Sequence, residues 1–204
     1  MSILQSHQIE KNEEDIRKTV LTNVIKMITA RGILVEEDLE KNITDILSQQ
    51  SDDSIYKLKK IENQIPIIIK LYPTKISSIN KTSNIYEFLA KQNEFHKIIV
   101  AKDINDNNIK NIKSNFPRTE IFLEHNMMIN LLDNELVPKF MIMPQDSELY
   151  KNFWNDYTVK KKQMPRMLAN DPVALYYNLK KGDLVKIIRP SESTGQSGFF
   201  RLVV

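Results

Sequence analysis

Cysteine is absent from this 204-residue chain, which excludes disulfides, iron–sulfur clusters and thiolate zinc sites and accords with an intracellular protein. Glycine is scarce: Gly32, Gly182, Gly195 and Gly198 are the only four. Their spacing makes neither a phosphate-binding loop nor a dinucleotide fingerprint, both of which need clustered glycines ahead of a helix. None of His7, His96 and His125 is followed by another histidine three or four positions on, as a helical zinc site requires, so each is read as a hydrogen-bonded or solvated side chain. Long apolar runs are missing too. The longest, Ile65 to Leu71, is interrupted by Pro66 and Lys70, far short of the roughly 20 residues that span a membrane. The opening "MSILQSHQIEKNEED" has neither the basic start nor the apolar block of a secretory signal. The triplets Asn42-Ile43-Thr44 and Asn80-Lys81-Thr82 are then read as chance glycosylation matches.

What remains is ordinary globular material, 41% hydrophobic and 27% charged, enough at this length for one large core or two small ones. The net charge of +3 conceals an asymmetry. Residues 138–204 hold 11 Lys or Arg against 6 Asp or Glu, whereas residues 1–137 hold 18 against 20. The change of sign near Pro138 predicts two domains, 1–137 and 138–204, with the proline-flanked "LVPKFMIMP" as linker. A net of +5 in the second suits acidic protein surfaces or nucleic acid but not a dedicated DNA binder.

Periodicity predicts the elements. Ile16, Val20, Val24 and Ile28, widened by Leu21 and Ile25, put an apolar stripe on a helix over 13–30, ended by Gly32. Further helices are expected over 36–49, 85–91 and 106–113. Strands are expected over 65–72, 96–103 and 127–131, with an extended segment at 120–123. Strands alternating with helices make the first domain a small α/β sheet. In the second, Pro144 opens a helix carrying Leu149, Phe153 and Trp154 or Tyr157. Asp171-Pro172 is a strong helix start, because the carboxylate caps free N–H groups and proline fits the first turn. Asn178 suits a left-handed helix stop, and 184–188 and 199–203 read as a hairpin. The fold class is α+β.

Chemistry is sparse. Gly195-Gln196-Ser197-Gly198 has the form of an RNA-clamping loop, but strands flank it where helices are needed, so a hairpin turn is the better reading. Asp52, Asp53 and Asp103 invite a metal-dependent nuclease, yet the acid, spacer, acid-x-lysine pattern is missing. In "ELYKNFWNDYTVKKKQMPR" aromatic and basic residues interleave as in a strand-binding surface, although helical spacing favours a core face. No cofactor or metal is expected.

The stretches "ELVPKFMIMPQDSE" and "QMPRMLANDPVALYYNLKKGDLVKIIRPSESTGQSGFFRLVV" closely resemble the fifth-largest subunit shared by the eukaryotic nuclear RNA polymerases, whose C-terminal domain also occurs by itself as a small archaeal polymerase subunit. The resemblance runs through Met164-Pro165-Arg166, Asp171-Pro172-Val173-Ala174, Tyr176-Tyr177, Lys181-Gly182, Val185 to Glu192 and Arg201-Leu202-Val203. It is similar in letters over the last 70 residues, at "RKTVLTNVIKMITARGILVEEDLE" again, and in pattern only between Asn42 and Leu131.

This resemblance implies a non-catalytic, two-domain subunit of a DNA-directed RNA polymerase. Its N-terminal jaw would lie beside downstream duplex DNA, and its C-terminal assembly domain would anchor to the largest subunit. Arg166, Asp171, Pro172, Tyr176, Arg189, Pro190 and Arg201 are the expected interface residues, with internal salt bridges to Asp171, Asp183 or Glu192 left open as the alternative for the arginines. In the jaw the family's Thr-Pro-Ser-Ala-like loop is replaced by Asp103-Ile104-Asn105-Asp106, whose carboxylates would repel phosphates. Lys102, Lys110 and Lys113 are the expected DNA-proximal residues. The Lys, Asn and Ile bias is similar to that of large DNA viruses. A viral source implies host cytoplasm and virion, a cellular one the nucleus, and no membrane. A nuclease-like enzyme on the first sheet and a free-standing transcription adaptor are the alternatives.

Overall fold

The computed structural model describes residues 12–49, 54–58, 66–77, 79, 83–158, 160–191 and 193–204. The chain divides into two compact units, Met1–Ile129 and Asn130–Val204.

The first unit opens with α1 (Glu13–Ala30), whose first turn carries Glu13, Glu14 and Asp15, the sign of charge that the amino end of a helix favours. Its stripe is fully used: Leu21, Val24, Ile25 and Ile28 have no exposed surface. Gly32, at φ +72°, lets the chain turn where a side chain would strain it. The single helix expected over 36–49 is instead a short 3-10 turn, Glu36–Asp38, followed by α2 (Leu39–Leu47).

Then come β1 (Ile55–Lys57), β2 (Ile67–Ile76), α3 (Asn84–Lys91), β3 (His96–Ile104), α4 (Asp106–Asn115), β4 (Thr119–Leu123) and α5 (Glu124–Met127). The sheet order is β1-β2-β3-β4. β1 runs antiparallel to β2, and β2, β3 and β4 are parallel. Parallel strands need crossover helices, and a sheet covered on both faces needs near-continuous apolar strands. Ile67, Ile68, Ile69 and Ile98, Ile99, Val100, Ala101 supply them, all buried. Alternation decides what each face meets. Ile68, Ile99, Ala101 and Ile121 join Phe88 and Leu89 of α3 and Ile112 of α4 in one core. On the other face Leu71 and Val100 line a cavity together with Ile16 and Val20 of α1. The strand expected over 127–131 is not there: α5 occupies its start. The side-chain amide of Asn23 donates to the Met127 carbonyl at 2.8 Å, fixing that turn against α1.

The second unit contains β5 (Lys139–Met143), α6 (Glu148–Asp156), β6 (Arg166–Met167), α7 (Pro172–Tyr176), β7 (Leu184–Ser191) and β8 (Gly195–Val203). Its sheet order is β5-β7-β8-β6. The stretch expected as a linker is therefore an edge strand, with Pro138 and Pro144 just outside it. Both faces are packed. Met143, Leu184 and Leu202 lie with Tyr150 and Phe153 of α6 on one side. Val185, Ile187 and Val203 lie with Ala174 of α7 on the other. The hairpin is longer than expected because β7 and β8 pair as far as Ser191 and Gly195. α6 begins at Glu148, beyond Pro144, because the Ser147 hydroxyl accepts from the Tyr150 N–H at 3.2 Å and so caps the helix there. Leu149, expected in the core, is 54% exposed, and Tyr150 takes its place.

Candidate functional site

In the second unit the candidate residues separate by role. The Asp171 carboxylate accepts from the Val173 N–H at 2.9 Å, and Pro172, exposed, occupies the first turn of α7. Tyr176 was expected at an interface, but it is buried within its own unit, and its hydroxyl donates to Asn130 Oδ1 at 2.8 Å. Asn130 in turn donates to Asp133 Oδ1 at 2.8 Å. Asp171 and Tyr176 thus build and place α7, one by capping and the other by tying it to the unit's first residue.

The turn into β7 depends on the Lys181-Gly182-Asp183 triplet. Gly182 has φ +97°, and a Cβ there would lie 2.6 Å from Gln145 Nε2. That Gln145 amide donates to the Lys181 carbonyl at 2.9 Å. Asp183 is buried, and its carboxylate accepts from the N–H groups of Lys180 at 2.7 Å and Gln145 at 3.3 Å.

With Asp171 and Asp183 occupied by backbone donors, the arginines stay open. Arg166, Arg189 and Arg201 are exposed, and among the described residues none makes an ion pair. Glu192 lies outside the described residues. The register pairs Val185 with Arg201, Ile187 with Phe199 and Arg189 with Ser197, so Arg189 and Arg201 share the face that α7 partly covers. Phe199, between them, is 53% exposed, with the Arg189 guanidinium 5.9 Å above its ring. Arg166 pairs with Leu202 and points to the opposite face. Pro190 is exposed on β7. Phe199 was not singled out by sequence: it lies on the strand face that Val203 shares with the core, beyond the part that α7 covers.

Of the aromatic and basic stretch, Tyr150 and Phe153 on α6 are core, whereas Tyr157 and the lysines are exposed. Phe153 stacks on Tyr157 at 4.5 Å and meets Phe200 at 4.6 Å. Lys161 lies 5.5 Å over both the Tyr150 and the Trp154 rings, a cation over aromatic faces.

In the first unit, Lys110 and Lys113 are exposed on α4, three positions apart and so on one side of the helix. Lys102 belongs elsewhere: it lines a cavity of about 320 Å³ with Glu13, Arg17, Val100 and Glu124, on the sheet face opposite α4. The carboxylates expected to repel DNA are largely accounted for. Asp103 is paired with Lys75 at 2.7 Å, and this hydrogen bond holds its carboxyl below the ordinary range. Asn105 caps α4 through its side chain, accepting from the Asn107 N–H at 3.3 Å, and Asp106 sits in the first turn. Lys75 escaped sequence reasoning because the irregularity between Tyr72 and Lys75 sets its register.

A buried ionic cluster ties α1 to the sheet. Arg31 Nη1 and Nη2 donate to Glu120 Oε1 and Oε2, each at 2.7 Å, and His96 Nε2 lies 2.6 Å from Oε1. Burial opposes ionisation of Glu120. The hydrogen bonds from His96 and Arg31, with the Arg31 charge, outweigh it and hold the carboxyl below its ordinary value. Lys97 is buried too, with its ammonium donating to the carbonyls of Leu89 at 3.3 Å and Gln92 at 3.2 Å. Burial, then Arg118, pushes its pKa down.

Among the described residues no group of three or more His, Asp or Glu side chains is placed to hold a metal ion. Asp52 and Asp53 lie outside them. No described helix is long and apolar enough to cross a membrane.

Residues 129–203 match the family model of the RNA polymerase Rpb5 C-terminal domain, a span that coincides with the second unit. The chain is 33% identical over 205 residues to DNA-directed RNA polymerase subunit 5 of Acanthamoeba polyphaga mimivirus, covering 97% of this chain and 96% of that protein. It is 30% identical over 204 residues to subunit RPABC1 of DNA-directed RNA polymerases I, II, and III of Caenorhabditis elegans, covering 93% and 94%. The corresponding Dictyostelium discoideum subunit is 27% identical, with 93% and 95% covered. With relatives of viral and cellular origin matched along nearly their whole length, the chain belongs to the Rpb5 family of DNA-directed RNA polymerase subunits.

Proposed function

We propose that the chain works as a structural subunit of a multisubunit DNA-directed RNA polymerase, without catalytic residues of its own. The second unit anchors it to the largest subunit, and the first lies along the downstream duplex. The observation that carries the anchoring is the open pair Arg189 and Arg201 around an exposed Phe199. Permanent interfaces favour arginine and aromatic side chains, and exposed arginines that pair with no described carboxylate suit a partner's carboxylates or carbonyls. Pro172, in the first turn of α7, extends that surface, Arg166 and Pro190 offer a second contact on the opposite face of the sheet, and Asp171 and Tyr176 place α7 from within the unit. The chain then resides where its polymerase works, in host cytoplasm and virion for a viral source or the nucleus for a cellular one.

For the first unit, Lys110 and Lys113 on α4 are the DNA-proximal pair. Lys102, on the other face of the sheet, is set apart from them. A contribution of this kind is electrostatic, independent of base sequence and sensitive to salt. Neither the nuclease-like nor the adaptor alternative is favoured by an observation among the described residues.

The reading is tested by co-expressing the tagged full chain with the largest subunit of its polymerase. Capture of that subunit is expected from the parent chain and from Asp103→Ala, with marked loss for Arg201→Glu. A surface substitution is preferable to deleting Phe199–Val204, which would also remove the core residues Leu202 and Val203. Equal capture by Arg201→Glu would refute the assigned surface.

A further inference from the structure

The sheet of the second unit ends unevenly. β6 is two residues long and pairs with β8 only at Leu202 and Val203, whereas β8 runs back to Gly195. Hydrogen bonds at its end show which way each backbone group points. The Val203 N–H donates to the Asp183 carbonyl at 2.9 Å, on the β7 side, while Leu202 and Val204 donate outward to the carbonyls of Pro165 and Met167 at 2.8 and 2.9 Å. Backbone groups alternate along an antiparallel strand, so Phe200 and Gly198 also point their N–H and C=O outward. No described strand pairs with them there. At Gln196, next in the series, the Thr194 hydroxyl donates to the carbonyl at 3.2 Å.

An unpaired edge is a template for another strand, and proteins usually blunt it with proline, charge or a covering segment. The other edge of this sheet, β5, is flanked by Pro138 and Pro144. At Gly198 and Phe200 no described strand or proline blunts β8, although Lys186 lies beside Gly198 and the Tyr157 ring 5.7 Å from that of Phe200. Beside them the sheet face presents exposed Phe199, with Arg201 two positions along the strand and Arg189 on β7. Two charges of one sign and an open aromatic ring define what fits.

We propose that β8 is a strand-addition site: an extended acidic segment of a partner protein pairs with the outward backbone groups of Gly198 and Phe200. Its carboxylates meet the Arg201 and Arg189 guanidinium forks, and an apolar side chain covers Phe199. Main-chain pairing fixes the register, and the alternating side chains give specificity. This inference rests on the polymerase-subunit reading and adds how the partner is held.

The test is amide hydrogen exchange on the full chain, free and within the purified polymerase, resolved to single residues. The Phe199 and Arg201 amides, which face β7, exchange slowly in both states. The Gly198 and Phe200 amides exchange quickly in the free chain and at least about tenfold more slowly in the complex. The Arg189→Glu, Arg201→Glu double variant, whose β7–β8 protection reports that it is folded, dissociates from the polymerase about tenfold faster. Incorporation into the polymerase with Gly198 and Phe200 still exchanging at the free rate overturns strand addition and leaves the subunit reading standing. Failure of the chain to copurify with polymerase subunits overturns both.

Discussion

Gly182 and Glu120 show how much of this molecule is decided by single side chains. At Gly182 a positive φ strains any side chain, and a Cβ would displace the Gln145 amide from its hydrogen bond to the Lys181 carbonyl, so Gly182→Ala is expected to cost about 1–2 kcal/mol in denaturant unfolding. An unchanged midpoint would show that the turn can rebuild itself. Glu120 is different in kind, because its carboxylate neutralises a guanidinium whose side chain is only 5% exposed. Removing one partner of a buried pair typically costs about 3–5 kcal/mol, and Glu120→Gln is expected in that range. The pH dependence follows from the lowered pKa. The stabilisation is fully present above the ordinary Glu value of 4.5 and is lost as pH falls through the lower folded value. Glu120→Gln therefore flattens the acid limb of the stability curve, and an acid limb identical to that of the parent chain would contradict the cluster's role.

Elements differ in how openly the sequence declares them. α7 is legible because its start is local chemistry: Asp171 caps two residues away and Pro172 supplies its own φ. The long stripe of α1 and the β-branched runs of β2 and β3 are equally plain, since their apolar residues go into the core almost without exception. β1 is hidden by being three residues long. β5 is hidden by its flanking prolines, although Phe140 and Ile142 facing the core with Lys139 and Met141 outward is a period-two pattern. Long-range ties are not legible at all: nothing near Tyr176 in sequence points to Asn130, 46 positions away. That tie sets where the second unit begins. A fragment of residues 130–204 is expected to fold alone, and a fragment of residues 135–204, lacking the acceptor for the buried Tyr176 hydroxyl, to be about 1–3 kcal/mol less stable. Equal unfolding midpoints would remove Asn130 from the unit's structural core. The candidate interface was legible as arginines, but which arginines share a face required the β7–β8 register.

At the scale of the whole molecule, the charge asymmetry read from the sequence narrows at the observed boundary: residues 1–129 hold 18 Lys or Arg against 18 Asp or Glu, and residues 130–204 hold 11 against 8. In the first unit, α4 carries Lys110 and Lys113 on one side. Lys110→Glu with Lys113→Glu in the assembled polymerase is expected to shorten the lifetime of elongation complexes modestly. An exposed pair screened over about 8 Å contributes on the order of 1 kcal/mol or less, so the effect should fade as salt is raised. Lys102→Glu, on the opposite sheet face, is the matched control with no expected effect. Equal lifetimes for both variants at low salt would separate α4 from the DNA path. The central claim, that this chain is built into a polymerase through its second unit, is tested most directly by cross-linking mass spectrometry of the polymerase purified through the tagged full chain. The account predicts cross-links from the largest subunit concentrated on residues 130–204 and above all around β7 and β8. Recovery of the chain free of polymerase subunits, or cross-links confined to residues 1–129, would contradict it.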